Sequence, residues 1–412
     1  MPNGNQPAPN TSGGFGALQI NVFLDSVAIP AAGAEVTISE PGTGQVLAQS
    51  RTDSLGRLEQ IPLETPPLEF SMNPDLPRPF NQYNIFVTLE NHSPVTVNNV
   101  QIFPDSTALQ RVVLRPLPQS VSIPYPTLWG DFPPKIPEEA IKPLPLPTGL
   151  VVLPRPVVPE WVVVHAGVPS DASAPNYTVS FKDYVKNVAS SEIYSTWPRE
   201  AIKANVLAIA SFTMNRVFTE WYRGKGFDFT ITNSTAYDQA FTYGRNIFQE
   251  VSDVVDEVFT TYISKPDIIQ PLFTQYSDGR RVVREGWLSQ WGSKELADQN
   301  YSALQILRHY YGYDIILKEA ETVEGIPMSF PGTTLTVGSS GESVQMIQRQ
   351  LNAISNNFPA IPKVAVDGVY GAETQAAVRT FQEIFNLPVT GDVNFGTWYQ
   401  ISNIYVAVAQ LS

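Results

Sequence analysis

Hydrophobic positions divide the chain by their period. From about residue 16 to 115 they alternate: Leu18, Ile20 and Val22, then Val36 and Ile38, then Tyr83, Ile85 and Val87, with PGTG and TDSLGR as turns between the runs. A period of two places every second side chain on one face, so this region is expected to form the short strands of a β-sandwich-like module. From about residue 162 to 313 the period lengthens. Leu207, Ala210, Met214, Val217 and Trp221 recur at helical spacing, with Ile202, Val206 and Ile209 widening the stripe, and Pro198 stands where a first helical turn accepts it. Ile247, Val251, Val254, Val258 and Tyr262 mark a second helix, and VVVHAG and PLFTQYS are short strand candidates, so an α-rich unit is expected. From Leu335 a smaller helical unit follows, with Val344, Ile347, Leu351 and Ile354 on one helix and Ala377, Phe381 and Ile384 on another. It nearly repeats itself, as DGVYGAET over 367–374 and TGDVNFGTW over 390–398, each a glycine turn followed by a helix start. The expected fold class is multidomain α+β.

Thirteen of the 36 prolines fall between Pro116 and Pro159. Proline fixes φ and lacks an N–H, so this density predicts an extended, exposed linker that a protease can reach. The expected organisation is a disordered start over 1–15, a β module over 16–115, the linker over 116–160, the α-rich unit over 161–325 and the last unit over 335–412. The polar N-terminus has no basic and apolar run of a signal peptide, and no stretch of about 18 apolar residues is present to span a membrane.

At 412 residues several cores are expected. A formal net charge of -13 without any basic block argues against nucleic acid as a partner. The chain has no cysteine, which excludes disulfides, thiolate metal sites and a cysteine nucleophile. Its three histidines, His92, His165 and His309, lie far apart, so no metal site and no cofactor are expected.

The last unit, through GSSGESVQMIQRQLN, DGVYGAETQAAVRTFQ and LPVTGDVNFGTW, resembles the three-helix peptidoglycan-binding modules. The stretch from Ile29 to TDSLGRL is similar to carboxypeptidase-regulatory-like β-sandwich modules, whose Thr-Asp-x-x-Gly turn is matched by Thr52, Asp53 and Gly56. The α-rich unit resembles the SpoIID/LytB-type lytic transglycosylases in three ordered segments: VKNVASSEIYSTWPREAIKANVLAIASFTMNR, STAYDQAFTYGRN and LSQWGSKELADQNYSALQILRHYYG. This resemblance places the general acid/base on Glu192. The apolar neighbours Ile193, Tyr194 and Trp197 favour a raised pKa there. The alternative for Glu192 is a cap on the helix that starts near Pro198. Candidates for substrate contacts are Tyr237, Asp238, Gln239, Ser289 and Gln290. Lys203 is a candidate for a lactyl carboxylate or an ordinary solvated lysine, and Trp287 and Trp291 are sugar platforms or core. The chain departs from the family at Ile209, Ala210, Ser211 and Phe212, where Ala-Ala-Arg-Thr-Tyr is usual, and at Arg284 and Glu285, where His-Gly is frequent. It also lacks the metal-binding Cys/His pair of some members.

The whole combination is similar to the clostridial, SleC-like spore cortex-lytic enzymes. That resemblance implies a zymogen resident in the spore cortex or coat region without a conventional signal peptide. It further implies activation by a subtilisin-like Csp protease near Leu150, Val151, Val152 and Leu153, and cleavage of cortex glycan. The alternatives are a non-catalytic peptidoglycan-binding spore or wall protein, and an N-acetylmuramoyl-L-alanine amidase.

Overall fold

The structure, a computed structural model, describes residues 13–24, 29–142, 155–323, 331 and 333–409. Leu150, Val151, Val152 and Leu153, the expected activation site, lie outside the described residues, as do residues 1–12.

The fold is mixed α/β. The first module comprises β1 (Gly14–Leu24), β2 (Ile29–Pro30), β3 (Glu35–Ser39), β4 (Val46–Arg51), β5 (Ile61–Thr65), the single turn α1 (Glu69–Met72), β6 (Asn81–Thr88), β7 (Val95–Ile102), β8 (Thr107–Leu114) and β9 (Gln119–Ser122). One sheet has the order β4-β3-β6-β7-β9, and in the other β1 pairs with β2, β5 and β8. The alternation works as the sequence predicts: Leu18, Ile20, Val22, Val36, Ile38, Ile85 and Val87 are all buried in one core. The TDSLGR turn is built by Asp53, whose Oδ1 accepts the amides of Leu55 and Arg57, each at 2.8 Å. Gly56 there has φ +70°, and a Cβ would sit 2.3 Å from the Val22 carbonyl oxygen.

The second unit opens with β10 (Val157–Pro159), β11 (Trp161–His165) and β12 (Asn176–Ser180), then α2 (Phe181–Glu192), α3 (Arg199–Phe218), β13 (Ile231–Thr232), β14 (Ile247–Phe248), α4 (Gln249–Val258), α5 (Gln290–Asp298) and α6 (Ala303–Tyr311). The pattern predicts an amphipathic α3, but from Ala204 to Phe218 this helix is buried on every side. It is the central helix, with α2, α4, α5 and α6 packed around it, and a helix enclosed all round has no polar face to show. It also stops at Phe218, so Trp221 belongs to the turn beyond it, and Ile247 and Tyr262 belong to strands flanking α4. The two units share one sheet: β14 pairs antiparallel with β8 through Ile247↔Leu109 and Phe248↔Ala108.

The proline-rich stretch differs most from its expectation. Residues 116–142 are not a free exposed spacer. β9 extends the first module, and residues 123–142, termed the strap below, lie along the second unit with Ile123, Pro126, Gly130 and Lys142 buried. Proline forbids regular pairing but leaves carbonyls and intervening amides available, and these are taken up by side chains of the second unit.

The last unit consists of α7 (Glu342–Asn357), α8 (Ala372–Ile384) and α9 (Phe395–Ala409). Val344, Ile347, Leu351, Ile354, Ala377 and Phe381 are fully buried. The sequence repeat is a structural one. Gln348 accepts the Gly368 amide and donates to Thr374, while Gln382 accepts the Gly391 amide and donates to Thr397.

Candidate active site

Glu192 is the last residue of α2, a helix capped at its start by Ser180, whose hydroxyl accepts the Asp183 amide. Its side chain turns inward and is fully buried. It does not cap α3, because its Oε1 accepts the Ala240 amide at 2.8 Å. Among the described residues its Oε2 has no hydrogen-bond partner. The Tyr276 hydroxyl approaches closely enough to favour the charged carboxylate but not in hydrogen-bonding geometry, and it too lacks a partner. Glu192 lines a groove with Tyr276, Ser277, Asp278, Arg281, Gln290 and Thr235. Burial pushes its pKa up, partly offset by the charge of Lys135, by Tyr276 and by the Ala240 amide.

The other wall of that groove is the strap: Thr127, Asp131, Phe132, Pro133, Pro134 and Lys135 line it too. Thr127 is anchored on the end of α2, its amide donating to the Ser191 carbonyl and its hydroxyl to that of Glu192. Arg281 clamps the strap, donating to the carbonyls of Gly130 and Thr127 at 2.6 Å, and is itself paired with Asp278 at 2.6 Å. Lys135 leaves its outer surface partly exposed but sends its ammonium inward. The ammonium donates to the Asp238 carbonyl and lies 4.6 Å from the Tyr276 ring centre. Burial lowers its pKa, and Glu192 is the first charge that opposes this. Further on, Gln275 accepts the Glu138 amide and donates to the Ile136 carbonyl, and Gln270 does both for Lys142.

The other candidates separate by place. Gln290 lines the groove, nearly buried, with its Nε2 unpartnered. Ser289 caps α5 by accepting the Gly292 amide. Asp238 is fully buried and saturated, taking Arg216, the Tyr222 hydroxyl, and the amide and hydroxyl of Thr232. Gln239 is internal, accepting from Tyr184 and Thr213 and donating to the Ile209 carbonyl. Tyr237 contributes its carbonyl to Arg216. Lys203 pairs with Glu257 at 2.5 Å and is not a groove residue. Trp291 is buried with its ring 5.0 Å from that of Trp197, and Arg284 lies over Trp287. Sequence reasoning missed Lys135, Glu138, Arg216, Gln275, Tyr276 and Arg281. The one signal was PPKIPEEAIK, a charged and apolar patch that an inert spacer does not need.

Residues 173–261 match the family model of the SpoIID stage II sporulation proteins, and residues 340–401 that of a putative peptidoglycan-binding domain. Among solved structures the chain is similar to the SleB N-terminal domain, with 34% identity over 18% of this chain and 93% of that one, at a TM-score of 0.16. It is also similar to 5-hydroxyisourate hydrolase from Klebsiella pneumoniae (18% identity, 26% and 92% covered, TM-score 0.16) and to transthyretin from Sparus aurata (13%, 24% and 89%, 0.16). No curated protein matches the chain.

Proposed function

From a chain that joins a SpoIID domain to a peptidoglycan-binding domain, we propose a latent lytic transglycosylase that cleaves spore cortex glycan during germination. The observation that carries this reading is the Glu192 carboxyl, buried in a groove with a raised pKa and one oxygen without a partner. Such a group holds a proton at a pH where an ordinary carboxyl has lost it. It protonates the oxygen between MurNAc and GlcNAc as the C1–O bond breaks. The resulting carboxylate then takes the proton of the muramic 6-hydroxyl, whose oxygen bonds to C1 and gives a 1,6-anhydro end. No water attacks, so one carboxyl suffices where a hydrolytic glycosidase uses two.

Gln290 bonds a sugar substituent from the groove wall. Asp238 and Gln239 position the loop that presents the Ala240 amide, and Ser289 fixes the start of α5. The strap supports a zymogen: it walls the groove on one side and sets a lysine against the catalytic carboxyl. Cutting near Leu150–Leu153 by a subtilisin-like Csp protease removes the tether between strap and enzyme, and the C-terminal module then concentrates the enzyme on its polymer. Glycan fragments treated with parent and with Glu192→Gln test the chemistry. Anhydromuramyl ends appear with the cut parent and fall by about 10²–10⁴-fold with the variant. Anhydro ends released by both at equal rates overturn the assignment.

A further inference from the structure

Arg216 is held in an unusual way. Its side chain is fully buried, its Nε bonds Asp238 Oδ1 at 2.8 Å, and its guanidinium carbon lies 4.3 Å from the Phe273 ring centre and 4.8 Å from that of Trp221. Its two terminal nitrogens form a fork on the Glu138 carboxylate at 2.6 and 3.1 Å. Glu138 belongs to the strap, and so does Lys142, which shares that carboxylate at 2.7 Å. Everything that fixes the guanidinium belongs to the second unit; the carboxylate that fills its fork does not.

When the strap yields the groove, Glu138 and Lys142 leave together. Asp238 cannot turn to replace them, since Tyr222 and Thr232 already hold its second oxygen. The Tyr237 carbonyl remains on one nitrogen at 3.3 Å, and Lys225, close over Trp221, adds a second cation nearby. What remains is a rigid fork of buried donors in a positive setting, the geometry that binds a carboxylate in two-point fashion. Beside it, Gln275 brackets Pro137, accepting the N–H of the peptide group after it (Glu138) and donating to the carbonyl of the peptide group before it (Ile136).

We propose that Arg216 and Gln275 form a subsite for a carboxylate carried on an amide-linked substituent of the glycan, and that Glu138 is its stand-in within the strap. The subsite lies beyond the end of the Glu192 groove: Lys135 and Tyr276 line that groove, Gln275 precedes Tyr276, and Glu138 follows Lys135 by three residues, a span of about 10 Å in an extended chain. It therefore determines which muramyl substituents the enzyme accepts. The inference rests on the reading of the groove as a glycan site, yet its test does not depend on catalysis.

The test uses the full chain carrying Glu138→Ala, which empties the fork, with Glu192→Gln added to remove turnover. The soluble probes are N-acetylmuramoyl-L-alanine and its primary amide, of equal shape and different charge. Calorimetric titration should show the acid binding at least about tenfold tighter than the amide, with the difference lost at high salt and absent in the chain with Glu138 intact. Equal affinities, or no binding of the acid, overturn the proposal. Should Glu138→Ala fail to fold, Glu138→Gln keeps one acceptor on the fork and gives a smaller preference of the same sign. Muramoyl tetrapeptide as a third probe separates a carboxylate on the first amino acid from one further along the stem. Failure of the Glu192 assignment leaves the acid preference in place, whereas failure of the subsite leaves anhydro-end formation in place.

Discussion

At the residue scale, the carboxyl of Glu192 couples function to stability. Its folded-state pKa is raised above the ordinary 4.5, so the folded protein holds this proton more tightly than the unfolded chain. Below pH 4.5 both states carry it and there is no penalty. As pH rises through the raised value the unfolded state is favoured, and the cost persists at neutral pH. Glu192→Gln removes that cost while its side-chain oxygen can still accept the Ala240 amide. Thermal scans from pH 4 to 8 should therefore show a variant close to the parent at the acid end and increasingly more stable as pH rises. A gap that is constant with pH contradicts the raised pKa. Glu192 was singled out by the family resemblance, since its own neighbours fitted a helix cap equally well. Its environment was not legible in the sequence. The groups that face the buried carboxyl and temper its raised pKa, Lys135, Tyr276 and the Ala240 amide, lie far away in sequence, and no local pattern announces such neighbours.

At the element scale, the strap and the paired glutamines of the last unit are the informative cases. Periodicity located β1, β3, β6, α7 and α8 because each has one wet face, but it misjudged α3, whose enclosure leaves no polar side to mark. Proline count alone read residues 116–160 as a linker, since composition registers what a backbone cannot form and not what its carbonyls can accept. The strap is held by discrete contacts, so single substitutions should loosen it. Lys135→Ala removes the ammonium facing Glu192 and Tyr276 while leaving the second unit intact. The uncut variant should release anhydro ends at a rate about tenfold above the uncut parent, roughly what a loss near 1.4 kcal/mol in strap closure delivers. No rise in the uncut form means that the strap does not limit access. In the last unit, Gln382 is fully buried and serves Gly391, Asp392 and Thr397. Gln382→Leu strands the Gly391 amide and should cost about 1–3 kcal/mol. Hydrogen exchange should then quicken over 335–409 while α3 keeps its protection.

At the scale of the whole molecule, the first module is more than a removable cover. β8 pairs with β14, and the Ser106 hydroxyl donates to Glu250 at 2.7 Å. Trp197 donates to the Ser71 carbonyl at 3.0 Å, and the Phe103 ring packs on both Tyr194 and Phe248. Tyr194 and Trp197 lie in the loop that follows α2 and Glu192, so the first module supports the loop that leaves this helix. A cut within 143–154 therefore breaks a tether without dissolving an interface. It turns strap binding from an intramolecular event into one that substrate can contest, which lowers the effective concentration of the strap rather than expelling it. The expected outcome is that the cut chain elutes as one species on gel filtration, with both fragments present, and separates only in denaturant. A chain begun at Val151 should expose Tyr194, Phe248 and the edge of β14 and aggregate more readily than the cut pair. Spontaneous separation of the fragments in plain buffer, with a stable and soluble C-terminal piece, would show that these contacts contribute little and that release of the strap is complete on cutting.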